Sequence, residues 1–555
     1  MVERTRRWVE ARCTLENTLF CTLVIVCAVP IWCFSEIPTQ DGSAHLYNAY
    51  LLSGWWRNSF PIDRTYFALN PAPVPNWLST VVLALLMQVF SAQRAERLLM
   101  TSYVVLLPVA FRYAIRSFNS MARYTSVLVF AFVWNHLFQL GFFNFCLSLV
   151  WYLFLLGYWA RRRSRIGPAE VAGLLFLSIL LYFSNGLSYY LAAATLGLLC
   201  LATVLIEPHN AEQNRWRVLF KPQVAALVAV PLSIGFFVLH GRSQTTVPSH
   251  MNLRDISWSV TRLSILVSSF NSIDLKFSAL FGVVLFIAAA VVFYFRRPIR
   301  FVVSDFLLLA AICQFILYIV LPDHAWGGGA INYRVFLFSI ATFALWISIQ
   351  PFHNYVVVGI SAAAALICIG LVARTLQRNL WLSAALDEYR EAASQMEEHK
   401  SLLRLQFEPT GYGRVRDPGL RYDPFLNASA LVALDRHLVD LDNYETASRN
   451  FPIIYRKGFD PMTVIRNEGP NAYRPLADIS QYEVLTGRTV DYVLLWDVQR
   501  WNPTSPFGKM ALQQLYRDYV LIYCARNIPL QLYRLRTQVD SADTTPTCPL
   551  TSSGG

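Results

Sequence analysis

A chain of 555 residues with 55% hydrophobic and 15% charged side chains, at a mean hydropathy of +0.39, is short of charge by the standard of soluble domains, where about a quarter is usual. Its net charge of +12 comes from Arg residues in short loops between apolar runs, a positive-inside pattern that accounts for the charge without a nucleic-acid partner. Ten cysteines without one C-x-x-C pair give no support to zinc or thioredoxin-like chemistry.

The first apolar run, residues 18–34, follows Arg4, Arg6, Arg7 and Arg12. Ser35-Glu36-Ile37-Pro38 is a poor cleavage site, so the run is expected as a retained signal anchor with a cytoplasmic N-terminus. Residues 35–75 form a polar, aromatic loop ending in Asn70-Pro71-Ala72-Pro73-Val74-Pro75, whose prolines impose an extended entry into the next helix. Apolar runs follow near 76–91, 96–115, 124–141, 143–160, 169–185, 187–206, 222–239, 277–296, 303–321, 332–350 and 354–373. The run 76–91 is short enough to be re-entrant, so 11 to 13 spans are expected.

Basic loops at Arg116/Arg123, Arg161–Arg165, Arg215–Lys221 and Arg296–Arg300 are expected in the cytoplasm, which puts 240–276, 322–332 and the tail outside. Residues 380–405 read as a charged, solvated helix leaving the membrane. Beyond Pro409 strands are expected at Val490–Trp496, Tyr519–Cys524 and Leu530–Leu535, and Cys524 and Cys548 are placed to pair if the tail meets an oxidising compartment. The expected architecture is mainly α: a polytopic membrane helix bundle over 1–379, including loop 35–75, then a small external α/β domain over 380–555, accessory rather than reactive.

Within the first loop, Gln40-Asp41-Gly42-Ser43-Ala44-His45 puts an acid and a histidine four residues apart, on one face of a short helix. Asp41 suits a helix N-cap and also a general base that activates an acceptor hydroxyl or amine. His45 suits a hydrogen-bonded structural role, or orientation of Asp41, or a phosphate contact. Two residues do not complete a metal site. Arg334, in Gly329-Ala330-Ile331-Asn332-Tyr333-Arg334, either snorkels to the interface or binds a lipid-linked phosphate in a bidentate fork. The glycines Gly327 to Gly329 before it permit a close backbone approach. His240, Arg242 and His324 are weaker candidates for acceptor or phosphate contacts, and Asn135, His136 and Asn144 suit helix stitching better than chemistry.

This layout resembles the GT-C superfamily of integral-membrane glycosyltransferases, on Gln40-Asp41-Gly42-Ser43-Ala44-His45 in the first external loop, Arg334 in a late one, and the polar junction Gly141 to Asn144. The resemblance implies an inverting transferase in the inner (plasma) membrane with a periplasmic C-terminal domain. Its donor would be a polyprenyl-phosphate-linked sugar and its acceptor a lipid, glycan or protein. Asp41 would be the catalytic acid/base, and Arg334 would hold the donor phosphate. Many members carry paired acids in this loop, and here Asp41 has no acidic neighbour. No metal ligand set is therefore assigned, and a divalent cation is left open without the support of a paired-acid motif. Two other classes compete: a transporter or flippase for a lipid-linked or small solute, against which the lack of an internal repeat counts, and a non-catalytic envelope scaffold.

Overall fold

The computed structural model describes residues 2–57, 63–122, 124–164, 166–207, 215–240, 249–296, 301–324, 328–407, 419–461, 478–498, 506–538 and 548. The chain divides into two compact units. One comprises Met1–Cys33, Ala72–Ser79 and Arg97–Gln377; the other comprises Phe34–Pro71, Thr80–Glu96 and Arg378–Gly555. Most of loop 35–75, expected with 1–379, thus belongs to the same unit as the C-terminal region.

The first unit is helical. Among the described residues of the chain, eight helices are long and apolar enough to cross a membrane, accompanied by the shorter apolar helix Pro168–Ser184 and the interrupted apolar stretch Phe220–Phe236. Phe143–Arg162 and Ile331–Ser348 are the most enclosed, whereas Ser272–Phe295 leaves Phe286 and Ile287 exposed, as a helix against lipid does. Neutral polar groups stitch the interior. The Tyr152 hydroxyl lies 2.7 Å from Thr342 Oγ1, Thr342 donates to Gln314 Oε1 at 3.1 Å, and Gln314 Nε2 donates to Thr195 at 3.1 Å.

Four of the twelve apolar runs are not long helices, which is why the count falls below the expected 11 to 13. Residues 76–91 give only the helix Leu78–Leu86 and a turn. Residues 124–141 form a fully buried 3-10 helix, Thr125–Phe132, then a single turn, His136–Gln139, capped by Asn135 and closed at Gly141 with φ +85°. Their apolar character reflects burial in protein. Helices Arg215–Ala226 and Val230–His240 are separated by a 3-10 turn just before Pro231, which has no N–H to continue the ladder. Pro168–Ser184 is helical but has only 17 residues.

The second unit is mixed. The expected solvated helix is instead the end of one continuous 40-residue helix, Asn354–Ala393, whose residues from Arg378 belong to this unit. Among the described residues the strands are, in chain order, β1 (Phe67–Leu69), β2 (Ser401–Gln406), β3 (Val439–Asp440), β4 (Ile453–Tyr455), β5 (Tyr492–Trp496), β6 (Tyr519–Cys524) and β7 (Leu530–Leu535). A five-stranded sheet runs β3-β2-β5-β7-β6, parallel across β3, β2 and β5 and antiparallel across β5, β7 and β6. The three expected strands are all present. β2, expected as helix, was not foreseen: all six of its residues are buried, so no polar alternation marks it. Cys524 and Cys548 form a disulfide, with Cα atoms 5.5 Å apart. β1 pairs antiparallel with β4, joining the early loop to the C-terminal region.

Candidate functional site

The early segment of the second unit is built around the helix Gly42–Arg57, most of which is buried. Asp41 stands at its N-cap position, with its carbonyl accepting from His45 N at 3.0 Å. Its carboxylate turns to other residues. Oδ1 accepts from Asn427 Nδ2 at 3.0 Å and from Gln40 Nε2 at 3.3 Å. Asn427 also donates to the Gln40 carbonyl at 3.0 Å, so one amide holds both the loop backbone and the acid.

Asp41 is 5% exposed. Burial pushes its carboxyl up to about 6, against the opposing charge of His45 and with the added repulsion of Glu445, while bonds from Tyr444 and Gln40 favour the ionised form. His45, one helical turn on, has Nδ1 2.5 Å from Oε1 of the fully buried Glu445. Burial disfavours its charge, but Glu445, then Asp41 and Glu96, outweigh that, so His45 lies above the ordinary imidazole range. Asp41 and His45, paired by their spacing, do share a site.

The site continues into the sheet. Gln40 Oε1 accepts from Asp423 N at 3.0 Å, Asp423 Oδ2 accepts from Gln406 Nε2 at 2.9 Å, and Gln406 Oε1 accepts from Arg404 at 2.7 Å. Arg404 ends this chain in a buried ion pair with Asp442, 2.6–2.7 Å away. Asp440 lies beside it, its Oδ1 accepting from Asp442 N at 2.9 Å. Burial raises Asp423 and Asp440 to about 7 each. The C-terminal region thus supplies side chains in contact with Asp41 and His45. Asn427 and Glu445 went unread because they lie about four hundred residues from Asp41 in sequence. The one signal was the acidic stretch Asp440-Leu441-Asp442-Asn443-Tyr444-Glu445 in a charge-poor chain.

In the first unit several side chains surround Arg334, in the first turn of Ile331–Ser348. Its guanidinium lies over Phe142 at 4.7 Å and Phe145 at 5.8 Å. Asp323 and His324 join it: the His324 Nδ1 to Asp323 Oδ2 distance is 3.1 Å, and the charges of His324 and then Arg334 oppose the burial that holds Asp323 above the ordinary carboxylate range. Asn135 donates to the Tyr103 hydroxyl at 3.0 Å and Asn144 accepts from Ser79 N at 2.7 Å, which are stitching roles. Arg242 and Gly327 lie outside the described residues, as does the side chain of His240.

Among the described residues, no group of three or more His, Cys, Asp or Glu is arranged to hold a metal ion. No known family model matches the chain, and neither does any curated protein.

Proposed function

We propose that the chain is an inverting glycosyltransferase of the GT-C type. It would move a sugar from a polyprenyl-phosphate donor to a lipid, glycan or protein acceptor at the external face of the inner membrane, with Asp41 as base. The observation that carries this is the buried Asp41 carboxylate, held by Asn427 and Gln40 one helical turn from His45, where burial raises it to about 6. A general base works best with a pKa near the operating pH, and an ordinary surface Asp falls well below it. In the step proposed, Asp41 takes the acceptor proton as the acceptor oxygen or nitrogen bonds to the anomeric carbon. The bond from that carbon to the lipid phosphate breaks on the opposite side, and the phosphate leaves with the electron pair.

Arg334 keeps the donor-phosphate role, supported by its place at a helix N-terminus, where backbone N–H groups add to the positive field. The external placement of the second unit is supported by its Cys524–Cys548 disulfide, a bond that persists in oxidising compartments. The depth of Asp41 favours a second reading, a non-catalytic scaffold in which the same cluster only locks the loop in place.

Transfer by membranes carrying the chain, supplied with a polyprenyl-phosphate sugar, separates the two. The transferase predicts a loss of about 100-fold or more in Asp41→Asn with protein level unchanged. Full transfer by that variant removes Asp41 as base, and a wild-type chain that transfers nothing leaves the scaffold.

A further inference from the structure

The strongest group without an assigned role is the carboxylate beyond His45. Glu445 lies in the short helix Tyr444–Ser448, which Asn443 caps by accepting from Thr446 N. Its Oε1 is 2.5 Å from Nδ1 of His45, and its Oε2 accepts from Asn48 Nδ2 at 2.5 Å. Asn48 is fixed in turn, because its Oδ1 accepts from Asn443 Nδ2 and Thr446 Oγ1, both at 3.2 Å. Both carboxylate oxygens are therefore held from the helix Gly42–Arg57, Oε1 by the His45 ring and Oε2 by the buried Asn48 amide, which has little room to turn. The His45 ring also packs on Phe451, with centroids 5.7 Å apart. A carboxylate at one ring nitrogen decides which nitrogen carries the proton and how the ring is turned.

We propose that Glu445 is a positioning residue that keeps His45 in one ring orientation, protonated at Nδ1, and so sets the positive charge that Asp41 feels. This rests on the transferase reading of the Asp41 site. The titratable groups acting on His45 are Glu445 from Tyr444–Ser448, Asp41 from the start of its own helix, and Glu96 from the helix that begins at Ala92. Glu445 is the one in contact at 2.5 Å. Without it the largest influence favouring the imidazolium is gone, and the pKa of His45 falls toward the value that burial favours. Asp41 then loses the charge that most opposes its own burial, an effect larger than the repulsion from Glu445 that it also loses. Its carboxyl stays protonated to higher pH.

The full chain in detergent micelles, labelled with nitrogen-15 at histidine, tests this by NMR, with the His45 signal assigned through its loss in His45→Gln. Wild-type His45 is expected to titrate above the ordinary imidazole range with Nδ1 protonated. Glu445→Gln should bring the midpoint down to that range or below. A wild-type midpoint within or below the range overturns the proposal without needing Glu445→Gln to fold; an unchanged midpoint in Glu445→Gln does the same. In the transfer assay, Glu445→Gln should lower kcat, leave the donor KM unchanged and move the acidic limb to higher pH, with Glu445→Asp restoring part of the rate. If His45 titrates as expected while the wild-type chain transfers no sugar, the transferase reading fails and the positioning of His45 stands.

Discussion

Asp41 is an acid whose burial works against the fold. Its folded pKa, about 6, lies above the ordinary value of 3.8 for an aspartate. An acid shifted in this direction stabilises fully below its unfolded pKa, and that contribution is lost as pH rises through the folded value. At pH 8 the ionised carboxylate therefore sits where the protein would hold a neutral group better, at a cost on the order of 2–3 kcal/mol. Asn at this position keeps an oxygen for the Asn427 amide, 3.0 Å away, and carries no charge. Asp41→Asn is expected to raise the thermal midpoint of the solubilised chain at pH 8 and to change it little at pH 4. An equal change at both pH values contradicts the argument. A variant that is more stable yet inactive is the mark of a residue kept for chemistry at a cost in stability. The acid and its histidine were legible because four residues make one helical turn. Glu445 and Asn427 were not, because no local period links position 41 to positions 427 and 445.

At the scale of elements, apolar length identified eight long helices and the shorter Pro168–Ser184, while three runs gave short or interrupted helices. Continuous hydrophobicity reports burial, and burial in protein looks the same as burial in lipid; Thr125–Phe132 is the clearest instance. In the same way β6 and β7 flank a legible turn at Asn527-Ile528-Pro529, whereas β2 hides its Arg404 and Gln406 among buried neighbours that only the finished sheet supplies. Two glycines show what packing adds to helix propensity. In Phe143–Arg162, a Cβ on Gly157 would meet the Tyr113 ring at 2.7 Å and the Ala114 Cα at 2.9 Å, and backbone cannot step aside. In Asn354–Ala393, a Cβ on Gly359 would meet nothing within 4 Å. Gly157→Ala should destabilise the chain by about 1–3 kcal/mol through overpacking. Gly359→Ala should stabilise it by up to about 1 kcal/mol through helix propensity alone. Thermal unfolding in one detergent compares them directly, and shifts of the same sign would sink the distinction.

For the whole molecule, the two units differ in what holds them. The first relies on apolar burial with neutral stitches such as Tyr152, Thr342 and Gln314, none of which titrates between pH 5 and 8.5. The second gathers buried acids: Asp41 at about 6, Asp423 and Asp440 at about 7, and His45 above its ordinary range. All four bind protons more tightly when folded. Their stabilisation is complete below their unfolded pKa values, the carboxylates losing it first and His45 last as pH rises through the folded values. His437 opposes them: burial lowers it, so its contribution is lost as pH falls below the ordinary histidine range. Since the acids outnumber it, the second unit should weaken between pH 5 and 8.5, by about 1.4 kcal/mol per pH unit for each extra proton the folded state holds. Hydrogen exchange followed by mass spectrometry can assign this to its place in the chain. Peptides over β2, β5 and Gly42–Arg57 should lose protection with rising pH beyond the intrinsic rate increase. Peptides over Phe143–Arg162 and Ile331–Ser348 should follow the intrinsic rate alone. Protection of the second unit that grows with pH would mean that its acids are ionised in the fold and compensated by cations, and the basis for Asp41 as a neutral-range base would fall with it.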